Sequence, residues 1–130
     1  MTQRPIKFRA WDTRNNRITY QVEATHGNAF NGTLSMTEIP VAFTTIHSDL
    51  ILMQFTGLTD KSGKEIWEGD IVKEYNRLGD ARTVVWDTDK GRWGTAGPMT
   101  FTISQTLTKV HARRYVEVIG NIYENPELPT

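Results

Sequence analysis

The chain has 130 residues, with fifteen basic and fifteen acidic side chains and no cysteine. That length suits one domain, or a small domain with an extension. The lack of cysteine excludes disulfides and thiolate metal sites, and the zero net charge argues against a dedicated backbone-tracking nucleic-acid binder. No run of about 18 apolar residues occurs, so no membrane span is expected. The start, Met1 to Pro5, shows no apolar signal region, and a reducing cytoplasm is the expected location.

Period two dominates the chain. Ile6, Phe8 and Ala10 alternate with Lys7, Arg9 and Trp11, which predicts a strand with one buried face. Turn residues from Asp12 to Arg17, Asn15 and Asn16 among them, lead into a partner strand over Ile18–Val22, making a hairpin. Residues 23–49 carry Gly27, Gly32 and Pro40 and read as loop-rich, with one short element near Leu34–Ile39.

From residue 50 the strands come closely. Leu50–Phe55 is an apolar run too short for a typical helix. It breaks at Gly57, turns through Asp60–Gly63, resumes at Ile66–Trp67 and turns again at Glu68-Gly69-Asp70. Gly57, Gly63, Gly69 and Asp70 are therefore expected as structural turn residues. Strands follow at Ile71–Tyr75 and Arg82–Trp86, the latter pairing with Arg92-Trp93 across a loop at Asp87–Gly91. Met99–Thr108 alternates most cleanly, and Tyr115–Tyr123 is the last strand. Asn125-Pro126-Glu127 matches a helix start, with room for a single turn. Five short strands over 69–123 indicate an all-β fold, a small SH3-like β-barrel with an N-terminal β-hairpin extension and irregular loops.

Chemistry-bearing constellations are sparse. His26, His47 and His111 lie too far apart in sequence to form a ligand pair on one element, so no metal and no cofactor are expected, and each histidine reads as a loop or surface residue. His47-Ser48-Asp49 has the residue types of a triad, but consecutive side chains on extended backbone point to opposite faces. Glu65, Glu68 and Asp70 form the densest carboxylate group. Turn chemistry explains them more cheaply than acid–base catalysis or cation binding. Gly91–Gly97 has the wrong glycine spacing for a phosphate loop and reads as a loop. Trp67, Trp86 and Trp93 read as core or interface.

The most functional-looking feature is basic and aromatic. Lys7, Arg9 and Trp11 share one face of the first strand. Read as a strand, 109–115 likewise sets Lys109, His111, Arg113 and Tyr115 on one face. Cations for phosphates among rings for stacking suit single-stranded nucleic acid or a nucleotide. A solvated or subunit-facing strand surface is the plainer alternative.

Three blocks carry a resemblance. They are Ile6-Lys7-Phe8-Arg9-Ala10-Trp11-Asp12, then Leu52–Asp60 continued by Gly63–Val72, and Val116–Leu128. In this order they resemble the YopX family of phage and prophage proteins. Segments 23–49 and 76–114 match that pattern poorly. The resemblance implies a β-rich, oligomeric protein made in the cytoplasm of a bacterial host, and it brings no activity and no catalytic residue. The expected organisation is a hairpin and loop-rich extension over 1–49 and a barrel region over 50–130. The expected role is a non-enzymatic accessory protein whose partners are itself and a host or phage protein. The alternative is a nucleic-acid or nucleotide-binding module using Lys7, Arg9, Trp11, Lys109 and Arg113.

Overall fold

The computed structural model describes residues 5–20, 50–75, 81–97 and 103–128. They form nine strands and one short helix. In chain order these are β1 (Phe8–Asp12), β2 (Arg17–Tyr20), β3 (Leu50–Thr59), β4 (Glu65–Trp67), β5 (Asp70–Glu74), β6 (Ala81–Asp87), β7 (Arg92–Ala96), β8 (Ile103–Thr106), α1 (Lys109–Tyr115) and β9 (Val116–Asn121). All the strand pairs are antiparallel. The chain divides into two compact units, Pro5–Gln54 and Phe55–Thr130. The short element expected near Leu34–Ile39 lies outside the described residues.

In the first unit β1 is central, paired with β2 on one side and with Leu50–Gln54 of β3 on the other. The β1–β2 turn is held by Asp12. One carboxylate oxygen accepts the backbone N–H groups of Arg14 and Asn15, and the other accepts the Asn15 amide at 2.7 Å. Asn16 closes the turn at φ 53°, a conformation Asn adopts more readily than most residues. Ala10 is fully buried and packs against Leu50. The expected alternation holds only in part, because Arg9 on the opposite face is also buried, 3% exposed.

The second unit opens with the β3–β4 hairpin. Its register shifts between Phe55 and Leu58. There Gly57 takes φ +85°, a region closed to most side chains. The Thr56 hydroxyl donates to the Ile66 carbonyl at 2.7 Å and accepts the Leu58 N–H, completing pairings the shift removes. Next comes a five-stranded sheet in the order β8-β7-β6-β5-β9. Its apolar core gathers Ile66, Val72, Val84, Leu107, Ala112 and Val116, with Leu58, Trp93 and Val118 packed around them.

Turns tie the sheet to its flanks. Gly69, buried between β4 and β5, donates to the Val84 carbonyl and accepts from Ile122 N–H. The Asp60 carboxylate accepts Ser62 and Lys64 N–H on one oxygen and Val118 N–H on the other, each at 2.9 Å. Lys61 N–H adds a bond to the Val116 carbonyl. A Cβ at Gly120 would collide with the Asn125 carboxamide, whose oxygen accepts Asn121 N–H.

Four expectations are corrected here. Residues 109–115 are helical, because Thr108 caps the turn by accepting His111 N–H, a local start signal that outweighs the apparent alternation. The strand expected over Met99–Thr108 ends at Thr106, since Leu107 and Thr108 lead into that helix; residues 98–102 lie outside the described residues. Arg92-Trp93 pair with β6 as expected, but the strand runs on to Ala96 where a loop was read, with Gly94 paired to Val85 and Thr106. The C-terminal Asn125-Pro126-Glu127 forms a turn, not a helical one. The Asn125 oxygen is engaged by Asn121 and so does not cap forward.

Two measurements follow. Asp60→Ala strands three backbone donors, of which Val118 N–H lies in a strand. It should cost about 2–4 kcal/mol of unfolding free energy in urea; a loss under half a kcal/mol contradicts this role. Asp12 has its carboxyl held below the usual range, first by the Asn15 amide bond and then by backbone N–H groups. A depressed native pKa gives stability that is full above the unfolded value, about 3.9, and is lost as pH falls through the native one. Asp12→Asn should therefore flatten the acid limb of the stability curve and leave its neutral shape unchanged.

Candidate functional site

Among the described residues, the most closely bonded group of buried polar side chains is inside the second unit. Strand pairing sets Val72 opposite Arg82 and Val84 opposite Thr95. Period two then turns Glu74, Arg82 and Thr95 to the same face as the core valines. Glu74 is fully buried, Thr95 likewise, and Arg82 is 7% exposed.

The Thr95 hydroxyl donates to Glu74 Oε1 at 2.8 Å and accepts from Arg82 Nε at 2.9 Å. Arg82 also donates to the Thr95 carbonyl at 2.9 Å, and its Nε lies 3.5 Å from Glu74 Oε1. Helix α1 supplies the fourth member, His111, whose Nε2 is 3.2 Å from Glu74 Oε2. The His111 ring sits 5.4 Å from that of Tyr115, one helical turn away. Both Glu74 oxygens are thus occupied. A carboxylate held this way is a device for positioning, fixing α1 against the sheet, rather than a base open to substrate.

Sequence reasoning missed Glu74, Arg82 and Thr95, and it read His111 as a surface residue. The histidine correction has a plain cause. The helix turns His111 inward beside Ala112, leaving its side chain 12% exposed. A signal for the others was present. Glu74 falls two residues after Val72, and Arg82 two before Val84, so both occupy inward positions of adjacent strands.

The predicted binding residues fall in both units. In the first unit Arg9 is buried, while Lys7 and Trp11 are half-buried. In the second, Lys109 and Arg113 are exposed on α1. They lie four residues apart and so share a helix side, which His111 does not. Gly57, Gly63 and Gly69 all take φ +85°. Asp70 is 2% exposed and its carboxylate accepts Trp67 N–H at 2.8 Å, so it serves the turn. Trp67 is buried against Phe55, with ring centroids 5.3 Å apart. Trp86 is 43% exposed and meets Trp93 edge-on at 5.1 Å. Lys61 Nζ lies 3.9 Å over the Tyr75 ring, whose hydroxyl donates to Glu117.

These elements define a mostly β protein with two antiparallel sheets and a polar network in the core of its second unit. Residues 7–129 match the family described as YopX protein, and the chain belongs to that family. It is similar in structure to protein EF1440 from Enterococcus faecalis, with a TM-score of 0.64 and 23% identity, covering 96% of this chain and 98% of that one. At that identity the likeness concerns the fold alone. No curated protein matches the chain. Among the described residues no helix is long and apolar enough to cross a membrane.

The network makes a stability prediction. Glu74→Ala leaves buried cationic donors without their carboxylate and should cost about 3–5 kcal/mol. Glu74→Leu combined with Arg82→Met should recover much of that loss in the same urea titration. A double variant no better than Glu74→Ala would show that the pair is not the unit that matters.

Proposed function

We propose that the chain is a phage- or prophage-encoded accessory protein without enzymatic activity, acting in the cytoplasm of a bacterial host. It works by binding proteins, its own copies first. The observation that carries this reading is the apolar surface of the first unit. Ile51 and Leu52 are neighbours on β3, so their side chains leave opposite faces of the sheet. They are nevertheless 39% and 43% exposed, and Ile6 and Tyr20 of the same unit exceed 50%. Large aliphatic residues open to water on both faces of one strand favour association.

The carboxylates support the non-enzymatic part of the reading. Asp12, Asp60 and Asp70 accept backbone N–H groups, and Glu74 is held by Thr95, Arg82 and His111. We further read the five-stranded sheet with α1 as an SH3-like barrel, which the order β8-β7-β6-β5-β9 supports.

A second reading, a nucleic-acid or nucleotide-binding module, is favoured by one observation. Lys109, Arg113 and Arg114 are all exposed on α1. On the first strand Arg9 is buried, whereas Lys7 and Trp11 are half-buried.

Light scattering across a concentration series tests the first reading. The full chain should be an oligomer, and Ile51→Lys with Leu52→Glu should shift it to a smaller, still folded species. A monomer at every concentration, or an oligomer indifferent to the double variant, overturns it.

A further inference from the structure

We propose that the outer face of α1 is a contact surface for the phosphate backbone of single-stranded nucleic acid, with Lys109, Arg113 and Arg114 as its cations. This rests on the second reading above and narrows it to one face. At roughly 100° per residue, Lys109, Arg113, Val110 and Arg114 cover a continuous arc of about 140°. His111, Tyr115 and Ala112 fill the remainder of the helix circumference. Burial follows the same division. The first four are exposed, Val110 at 64%, whereas Ala112 is fully buried and the two rings are half-buried.

The outer arc is charged without local compensation. In this unit's core Glu74 pairs with Arg82 and contacts His111, and among the described residues no ion pair reaches Lys109, Arg113 or Arg114. The first turn carries no acidic residue. Two features of the arrangement disfavour the helix. Lys109 sits at the N-terminal end, where the helix dipole opposes a cation. Lys109 and Arg113 are like charges at i, i+4. Arg113 and Arg114 in the last turn suit the negative end of the dipole, but among the described residues Lys109 has no acidic partner to offset its place at the other end, so its position on the arc points to something outside the helix.

The helix is also fixed in place. Thr108 caps it, His111 holds Glu74, and Ala112 lies in the core. A polyanion therefore meets preordered cations, and arginine matches phosphate with two parallel N–H bonds. His111 is turned inward onto Glu74, but the ring of Tyr115, half-buried one turn further along, gives a base a π surface beside the phosphate contacts. An acidic protein segment would use the cations but has no need of that ring, so nucleic acid is the better fit.

Anisotropy of a labelled oligothymidylate with the full chain tests this at several salt concentrations. Three neutralised phosphates give a slope of log K against log salt near −2, about −0.7 for each. Affinity then falls roughly twentyfold for a fourfold rise in salt. Replacing Lys109, Arg113 and Arg114 by Gln should abolish binding without lowering the urea midpoint by more than the loss of two last-turn cations explains. Lys109→Glu should weaken binding and raise the thermal midpoint, because it repairs both unfavourable features.

Absence of binding by the natural chain removes the nucleic-acid reading and this face together. Binding that survives the triple variant keeps a nucleic-acid module and removes the face. Polyglutamate binding as tightly as the oligonucleotide, and lost in the same variant, assigns the face to an acidic protein instead. A lowered thermal midpoint in Lys109→Glu overturns the premise that these cations strain the helix.

Discussion

One carboxylate, that of Asp60, joins the parts of the second unit that are furthest apart in sequence. It closes its own turn through Ser62 and Lys64 and reaches the N–H of Val118, fifty-eight residues on. Lys61 and Gly69 make parallel links, to Val116 and Ile122. Strand β9 is thereby held along one edge by β5 and along its length by the turn that precedes β4. A single charged acceptor suits this better than backbone alone, because charge-assisted bonds to N–H are roughly twice as strong as neutral ones. The turn closes locally through Ser62 and Lys64, and its bonds to Val116 and Val118 couple it to the C-terminal strand.

This coupling explains why the sequence blocks that carry the family resemblance read as punctuation. Gly57, Gly69, Asp70, Gly120 and Asn125 each perform a steric or hydrogen-bonding task that few other residues can perform. Gly57 bends a strand at positive φ, Asp70 accepts Trp67 N–H, and Gly120 leaves room for Asn125. Such tasks are local enough to be seen in a sequence. Hairpins were legible for the same reason, with Asp87 pairing Arg92 across a turn closed by Gly91.

What escaped reading was either too short or too deep. Helix α1 spans seven residues, under two full turns. Over that span Lys109, His111, Arg113 and Tyr115 imitate alternation as well as they express a period of 3.6. Only Thr108 distinguished the two. The Glu74–Arg82–Thr95–His111 network was hidden because each member is ordinary in isolation. A charged residue at an inward strand position becomes meaningful only when its neighbour's register is known, and register follows from pairing rather than from composition.

Burial also changes what the neutral composition implies. Among the described residues Asp12, Asp60, Asp70, Glu74 and Asp87 are buried, against Arg9 and Arg82 among the cations. The acids are withdrawn because a carboxylate accepts several backbone N–H groups at once, which makes it useful at turns. Lysine and arginine only donate, and backbone donors give them no partner. In a chain with fifteen charges of each sign, the described residues therefore show water fewer of their carboxylates than of their cations. Net charge from composition argued against a polyanion partner, but it counted charges that the fold has already spent. The field a partner meets is set by the exposed remainder, and on α1 that remainder is positive.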